Sequence, residues 1–339
     1  MKFIFSFCLL VIGFSAQAKD LSTVFAKVNP AVVVIYTEAS VNTANGNGIS
    51  TDKAKGIGSG VIISKDGLIM TAAHVVNSAD LIYVQLHNDK RYRAKVLSTS
   101  VATDLGLIQL EEQPKELSYI KPWDSDKVKI GEEVFVIGAP YGLEHTLTAG
   151  HLSGRRTDNG DDALVDLEFL QTDAGVNMGN SGGPMFNKDG KLIGIISHIQ
   201  SQSGGNEGLG FAASINMAKR VLLDESPLWL GMDFIPLKRE LAHAFNVPYN
   251  EGLLVQSVAR GSFGDTLNII PSTIPISLGD KKIRIGGDVV VEIGGNSVYV
   301  NRKGRQRLAD YLANVPSGEN IEVTVIREGK KVVLSAAKP

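Results

Sequence analysis

Three side chains in this sequence carry the groups that an acyl transfer needs. Ser181 lies in "TDAGVNMGNSGGPMF" (172–186), surrounded by glycines. His74 ends an apolar run in "TAAHVV" (71–76), and Asp104 stands just ahead of a strand-like run in "TDLGLIQL" (103–110). A serine hydroxyl is a weak nucleophile until an imidazole takes its proton. The imidazole in turn needs a carboxylate that fixes its tautomer and stabilises its cation. Glycines on both sides of Ser181 give the backbone freedom to turn the N–H groups of Gly179 and Ser181 toward one oxygen. Such an oxyanion hole is worth about 3 to 4 kcal/mol per donor in the transition state. Asn180 lies between the two donors, and its own N–H is not required.

The elements that must position these groups read as short strands. Apolar runs recur at close spacing: 31–36, 60–64, 68–71, 81–86, 94–98, 105–110, 133–137 and 192–196. Asp- and Gly-rich turns such as "KDG" (65–67) and "NKDG" (187–190) separate them, the pattern of a barrel or sandwich. The polar stretch 37–56, rich in Asn, Gly and Ser, reads as a mobile loop. Near residue 222 the texture changes, and the remaining segment has its own apolar runs and a helical stretch at 305–313. With 339 residues the chain is long enough for two domains. The expected division is a signal segment 1–18, a first domain 19–223 and a smaller one 224–339.

Residues 1–18 have a basic start at Lys2, an apolar stretch from Phe3 to Phe14, and the small-x-small triplet Ala16-Gln17-Ala18. That is an export signal with cleavage expected after Ala18. About 12 apolar residues is short for a membrane span of roughly 20. Cleavage would remove Cys8, the one cysteine, and leave 33 basic and 36 acidic residues, a formal charge of −3. The mature chain therefore has no disulfide and no thiol chemistry. No basic block suggests nucleic acid. His87, His145, His151, His198 and His243 lack metal-ligand spacing and read as structural or surface residues. "TDNGDD" (157–162) lacks the spaced ligands of a calcium loop and reads as a solvated turn. No metal or other cofactor is expected.

Taken together, "GIGSGVIISKDGLIMTAAHVV", "DLGLIQL", "QTDAGVNMGNSGGPMFNKDGKLIGI" and "GLGFAAS" resemble the HtrA/Deg serine endopeptidases. The chain order His, Asp, Ser is that of chymotrypsin. The resemblance implies a mainly β fold, a chymotrypsin-like double β-barrel followed by a smaller α+β PDZ domain. It implies His74 as general base, Asp104 as its orienter and Ser181 as nucleophile. It also implies ATP-independent degradation of misfolded or unfolded proteins, a homotrimer, and export to a bacterial periplasm with no membrane span once the signal is cut. By the same pattern, Gly175 forms the base of the primary specificity pocket and Ile199 a wall, which favours small aliphatic residues.

"SPLWLGMDF" (226–234) resembles the first strand of a PDZ domain. Leu230, Gly231 and Met232 match the turn that presents N–H groups to the carboxylate of a C-terminal peptide. This chain departs from the family pattern at Gly175 and Met178, where Ala and Pro are usual. It departs again in "FAAS" for "FAIP", and in the long link "DTLNIIPSTIPISLGDKKIRI". Two other readings share these features: a PDZ-bearing chaperone or sensor with a silent protease domain, and a membrane-tethered signalling protease.

Overall fold

The computed structural model describes residues 20–45, 48–158, 167–278, 281–298 and 302–339. The expected signal segment 1–18 and most of the "TDNGDD" turn lie outside the described residues.

A short helix α1 (Leu21–Val28) opens the chain, with the Asp20 carboxylate accepting from the Ser22 N–H at its N-terminus (3.0 Å). The first barrel follows: β1 (Val32–Asn45), β2 (Gly48–Ile62), β3 (Leu68–Thr71), a one-turn helix α2 (Ala73–Val76), β4 (Leu81–Gln85), β5 (Arg91–Ser100) and β6 (Leu105–Leu110). The strands close in the order β1-β2-β3-β6-β5-β4, every neighbour antiparallel. Inward-facing Val33, Ile35, Ile62, Ile69, Val84 and Ile108 are sealed from solvent and fill it. The β-branched residues at these positions suit a pleated surface buried on its inner side.

The second barrel repeats the plan with β7 (Glu133–Gly138), β8 (Thr146–Asp158), β9 (Leu167–Thr172), β10 (Pro184–Asn187), β11 (Leu192–Ile199) and β12 (Gly210–Ser214), closed in the order β10-β11-β12-β9-β8-β7. A shared core joins the barrels. Val61, Met70 and Leu105 from the first pack with Phe135, Ile137, Phe186 and Ile195 from the second, and the Phe135 and Phe186 rings lie 5.2 Å apart. Closed barrels leave no long unpaired edge, so the seam between them is where irregular loops meet. α3 (Ile215–Lys219) then leads through a π-helical turn ending at Ser226, whose φ of 43° breaks the helix.

The third unit comprises β13 (Met232–Lys238), α4 (Glu240–Ala244), β14 (Glu251–Val258), α5 (Phe263–Thr266), β15 (Ile274–Leu278), β16 (Lys281–Ile285), β17 (Val289–Ile293), β18 (Asn296–Ser297), α6 (Arg302–Asn314), β19 (Asn320–Arg327) and β20 (Lys330–Ala337). Its sheet runs β13-β14-β17-β19-β20, with β18 on β17, so β13 is an edge strand. Met232, Val255, Phe263, Val290, Ile321 and Val325 form its core. The fully buried Asp288 is held by a two-pronged hydrogen bond from Arg327 (2.8 and 2.7 Å).

One expectation is corrected. Residues 37–45 and 48–56 are not a loop: β1 and β2 stay paired from Val32↔Val61 to Asn45↔Gly48. The ladder's own hydrogen bonds hold a polar hairpin that composition alone reads as loop, and its far end is supported from outside. The Ala44 N–H donates to the Thr273 carbonyl (2.8 Å), next to the β15–β16 ribbon built from the long link in the third unit. Asp80 adds a second tie, accepting from the Ser40 N–H (2.7 Å) and the Arg260 N–H (2.9 Å).

Candidate active site

His74 sits in α2, directly after β3, and Asp104 sits in the turn that leads into β6. Asp104 adopts a left-handed backbone (φ 54°), which short polar side chains tolerate better than branched ones. That conformation lets it clasp α2 twice. Its carbonyl accepts from the Ala73 N–H (3.1 Å), and its Oδ1 accepts from the His74 N–H (3.0 Å). Both carboxylate oxygens lie 2.9 Å from His74 Nδ1. The carboxylate only accepts, so Nδ1 carries the proton and Nε2, with no partner among the described residues, is left as the basic nitrogen.

Burial pulls the His74 pKa down, but the hydrogen bond and charge of Asp104 outweigh it and the net shift is upward from 6.5. Burial pushes the Asp104 pKa up. The His74 ring, its charge, the Ser197 hydroxyl and the His74 N–H outweigh that and hold it below 3.8. The His74 side chain is half exposed and that of Asp104 about one-fifth exposed, so the carboxylate sits behind the imidazole.

Ser181 belongs to the second barrel's loop ahead of β10, and the first barrel holds that loop through Ser59. The Ser59 N–H donates to the Ser181 carbonyl (2.8 Å), and its fully buried Oγ donates to the Gly179 carbonyl (2.7 Å). The same Oγ accepts from the Ala139 N–H (3.0 Å), while Thr71 Oγ1 donates to the Ser59 carbonyl (2.7 Å). Gly179 has φ 102° and Gly182 φ 80°. A Cβ at Gly182 would stand 2.1 Å from Thr71 Oγ1 and 2.3 Å from the Ser59 carbonyl oxygen. Glycine is required there because the loop presses against the other barrel.

The Asn180 N–H is taken by the Asn177 carbonyl (3.0 Å). Among the described residues, the N–H groups of Gly179 and Ser181 have no partner. The loop thus leaves free the two donors that the sequence singles out. Ser181 Oγ makes no hydrogen bond to His74 in this conformation. Such bonds are often long without substrate and tighten when it binds.

Gly175 precedes this loop, with room beside it: a Cβ would meet only Thr148 and Asn206 side chains, at 3.5 and 3.6 Å. Ile199, half-buried at the end of β11, packs against the same cluster as Val176, the residue after Gly175. Leu230, Gly231 and Met232 lie elsewhere, at the entry to the edge strand β13. They reach the site only indirectly. Asn77, which ends α2, donates through Nδ2 to the Met232 carbonyl (2.9 Å), and its own carbonyl accepts from Trp229 Nε1 (2.9 Å). Surface clefts of about 290 and 450 Å³ lie away from Ser181, one against the third unit and one outside the first barrel. Among the described residues, no cluster of His, Cys, Asp or Glu is placed to hold a metal ion.

Ser59, Asn77 and Ser197 escape a reading based on residue types. Ser197 Oγ donates to Asp104 Oδ2 (2.6 Å) from inside β11, where the ladder to β12 shifts register between Ile196 and His198. A lone serine within the apolar run "LIGIIS" was the available signal, because a buried hydroxyl needs a partner.

Comparison with known proteins places the chain among serine proteases. The family model described as trypsin-like peptidase domain matches residues 58–195. A probable periplasmic serine endoprotease DegP-like of Marinomonas sp. is 32% identical over 358 residues, covering 95% of this chain and 71% of the relative. A probable periplasmic serine protease do/HhoA-like of Haemophilus influenzae is 32% identical over 350 residues, covering 94% and 71%. Among solved structures, a single-site variant of the HtrA-type protease AlgW with a decapeptide superposes with a TM-score of 0.57 at 27% identity, covering 94% of this chain and 96% of that one. AlgW with a tripeptide gives 0.53 at 29%, covering 94% and 96%.

Proposed function

The chain belongs to the DegP/HtrA family of serine endoproteases, and on that premise we propose that Ser181, His74 and Asp104 are its catalytic triad. The observation that carries the reading is the oriented His74–Asp104 pair together with a loop, packed through Gly182 against Ala72 at the start of α2, whose Gly179 and Ser181 N–H groups have no partner among the described residues. In this reading, His74 Nε2 takes the Ser181 proton as Oγ attacks the scissile carbonyl, and the two N–H groups receive the oxyanion. The leaving amine takes the proton back from His74. Water, deprotonated by the same imidazole, then releases the acyl chain.

The primary pocket, floored by Gly175 and walled by Ile199, has no carboxylate at its floor, so small aliphatic side chains fit and a buried Lys or Arg does not. We read residues 224–339 as a PDZ domain and 19–223 as the protease domain. An extended C-terminal peptide would add to the open edge of β13. Its carboxylate would be held at Leu230, Gly231 and Met232. Two details support this: Gly231 has φ 65°, and among the described residues the Leu230 and Gly231 N–H groups have no partner. Exposed apolar C-termini mark unfolded exported chains, so binding of this kind fits quality control of misfolded proteins. The relatives are named periplasmic, and that is the compartment of this reading. Among the described residues, no helix is long and apolar enough to cross a membrane. The family resemblance supports a homotrimer.

Casein digestion by the wild type and by Ser181→Ala tests the proposal. The wild type cleaves and the variant does not. Retention of a tenth of the rate by folded Ser181→Ala would refute the assignment, and a wild type inert on unfolded proteins would favour the silent-domain reading.

A further inference from the structure

The Ser197 hydroxyl has one proton and two polar neighbours, Asp104 Oδ2 at 2.6 Å and His198 Nδ1 at 3.0 Å. An ionised carboxylate only accepts, so the proton goes to Asp104. The second contact is then a hydrogen bond only if His198 Nδ1 is the donor. From this geometry we infer that His198 is a positioning residue for catalysis, donating through Nδ1–H to Ser197 so that the Ser197 hydroxyl stays aimed at Asp104. The inference rests on the triad reading above.

The ring is built into place for this. It stacks on Phe211 (centroids 5.0 Å apart, 15° between planes) and meets Phe169 edge-on (5.3 Å, 76°). The register shift at Ser197 puts that hydroxyl and the next residue's ring on the same bond network. The outcome is a continuous line of donors: His198 Nδ1–H to Ser197 Oγ, Ser197 Oγ–H to Asp104, and His74 Nδ1–H to the same carboxylate. Each bond in such a line polarises the next. A better-satisfied carboxylate is a weaker base toward His74, so the line restrains the rise of the His74 pKa. Among the described residues, Asp104 and His74 are the charged groups that act on the His198 ring, with burial favouring its neutral form.

The experiment compares His198→Asn, His198→Phe and His198→Ala with the wild type, in labelled-casein cleavage at subsaturating substrate from about pH 5.5 to about pH 9. Ser181→Ala serves as the control for the triad reading. Asn keeps a donor close to the Nδ1 position without the ring, whereas Phe keeps the packing between Phe169 and Phe211 without a donor. The Asn variant is expected to retain the wild-type acidic limb. Phe and Ala are expected to move that limb to higher pH and to lose about three- to tenfold in rate at neutral pH, the effect of one hydrogen bond. Rescue by Phe and not by Asn would assign the ring a packing role and overturn the inference. So would identical acidic limbs in all three variants, with the triad reading intact if Ser181→Ala is dead. Full activity of Ser181→Ala would remove the triad reading itself, and the inference with it.

Discussion

Ser59→Ala isolates what the first barrel contributes to the serine loop. The hydroxyl is fully buried, donates to the Gly179 carbonyl at 2.7 Å and accepts from the Ala139 N–H at 3.0 Å. Truncation removes both bonds and leaves both backbone groups away from water. Each unsatisfied group costs about 1–3 kcal/mol. Here the two retain a weak contact with each other, Ala139 N–H to Gly179 carbonyl at 3.4 Å, which places the sum near the low end. The expected loss is about 2 kcal/mol, or roughly 4–8 °C in the melting of a domain this size. Gly179 is also an oxyanion donor in the proposed mechanism, and losing such a donor outright costs about a hundredfold or more. Displacing it should lower kcat by about tenfold with little change in KM. Calorimetry and casein cleavage on the folded variant read both quantities. A melting point within about 1 °C of wild type and a kcat within about twofold would show that Ser59 holds nothing of consequence.

Activity of the wild type should fall as pH drops through the His74 pKa, and that acidic limb should lie above 6.5, the direction in which Asp104 moves it. Asp104→Asn removes the charge and permits the wrong tautomer, so kcat should drop by about 10⁴; a loss under tenfold would exclude Asp104 as the orienting carboxylate. The same pair predicts stability with two signs. The His74 contribution is present below its unfolded pKa and is lost as pH rises through the raised folded value; the Asp104 contribution is present above 3.8 and is lost as pH falls through the lowered one. Sequencing of peptides released from an unfolded substrate should show cleavage after Val, Ala, Ile or Leu, and predominant cleavage after Lys or Arg would contradict the pocket at Gly175. Gly231→Val should abolish binding of C-terminal peptides by the whole protein, since a Cβ there would stand 2.1 Å from Ser262 Cβ in a backbone with φ 65°. Calorimetric affinity equal to wild type, or equal for amidated peptides, would remove the carboxylate-reading role.

Residue type made the outline of the site legible. A lone serine among glycines, a histidine after an apolar strand and an aspartate before another are chemically distinctive; the short apolar runs indicated a barrel or sandwich, and the double barrel came from the family resemblance. The supporting residues were not legible for a physical reason. Ser59, Ser197 and Asn77 act through partners 93 to 155 positions away in sequence, and nothing in a single polar residue names its partner. His198 read as a structural or surface histidine because the contact that the inference above assigns it, with Ser197, sits at a register shift in β11 that no local pattern announces. The paired strands at 37–45 and 48–56 were hidden by their composition. Polar residues on an exposed ladder look like loop, and the contact that supports the far end comes from Thr273 in the third unit.

Covalent labelling decides whether Ser181 is an activated nucleophile. A fluorophosphonate probe should add to the purified wild-type protein once per chain, fragment masses should place the adduct on Ser181, and His74→Ala should lose the reaction. An unlabelled protein, an adduct on another residue, or undiminished labelling of folded His74→Ala would contradict it.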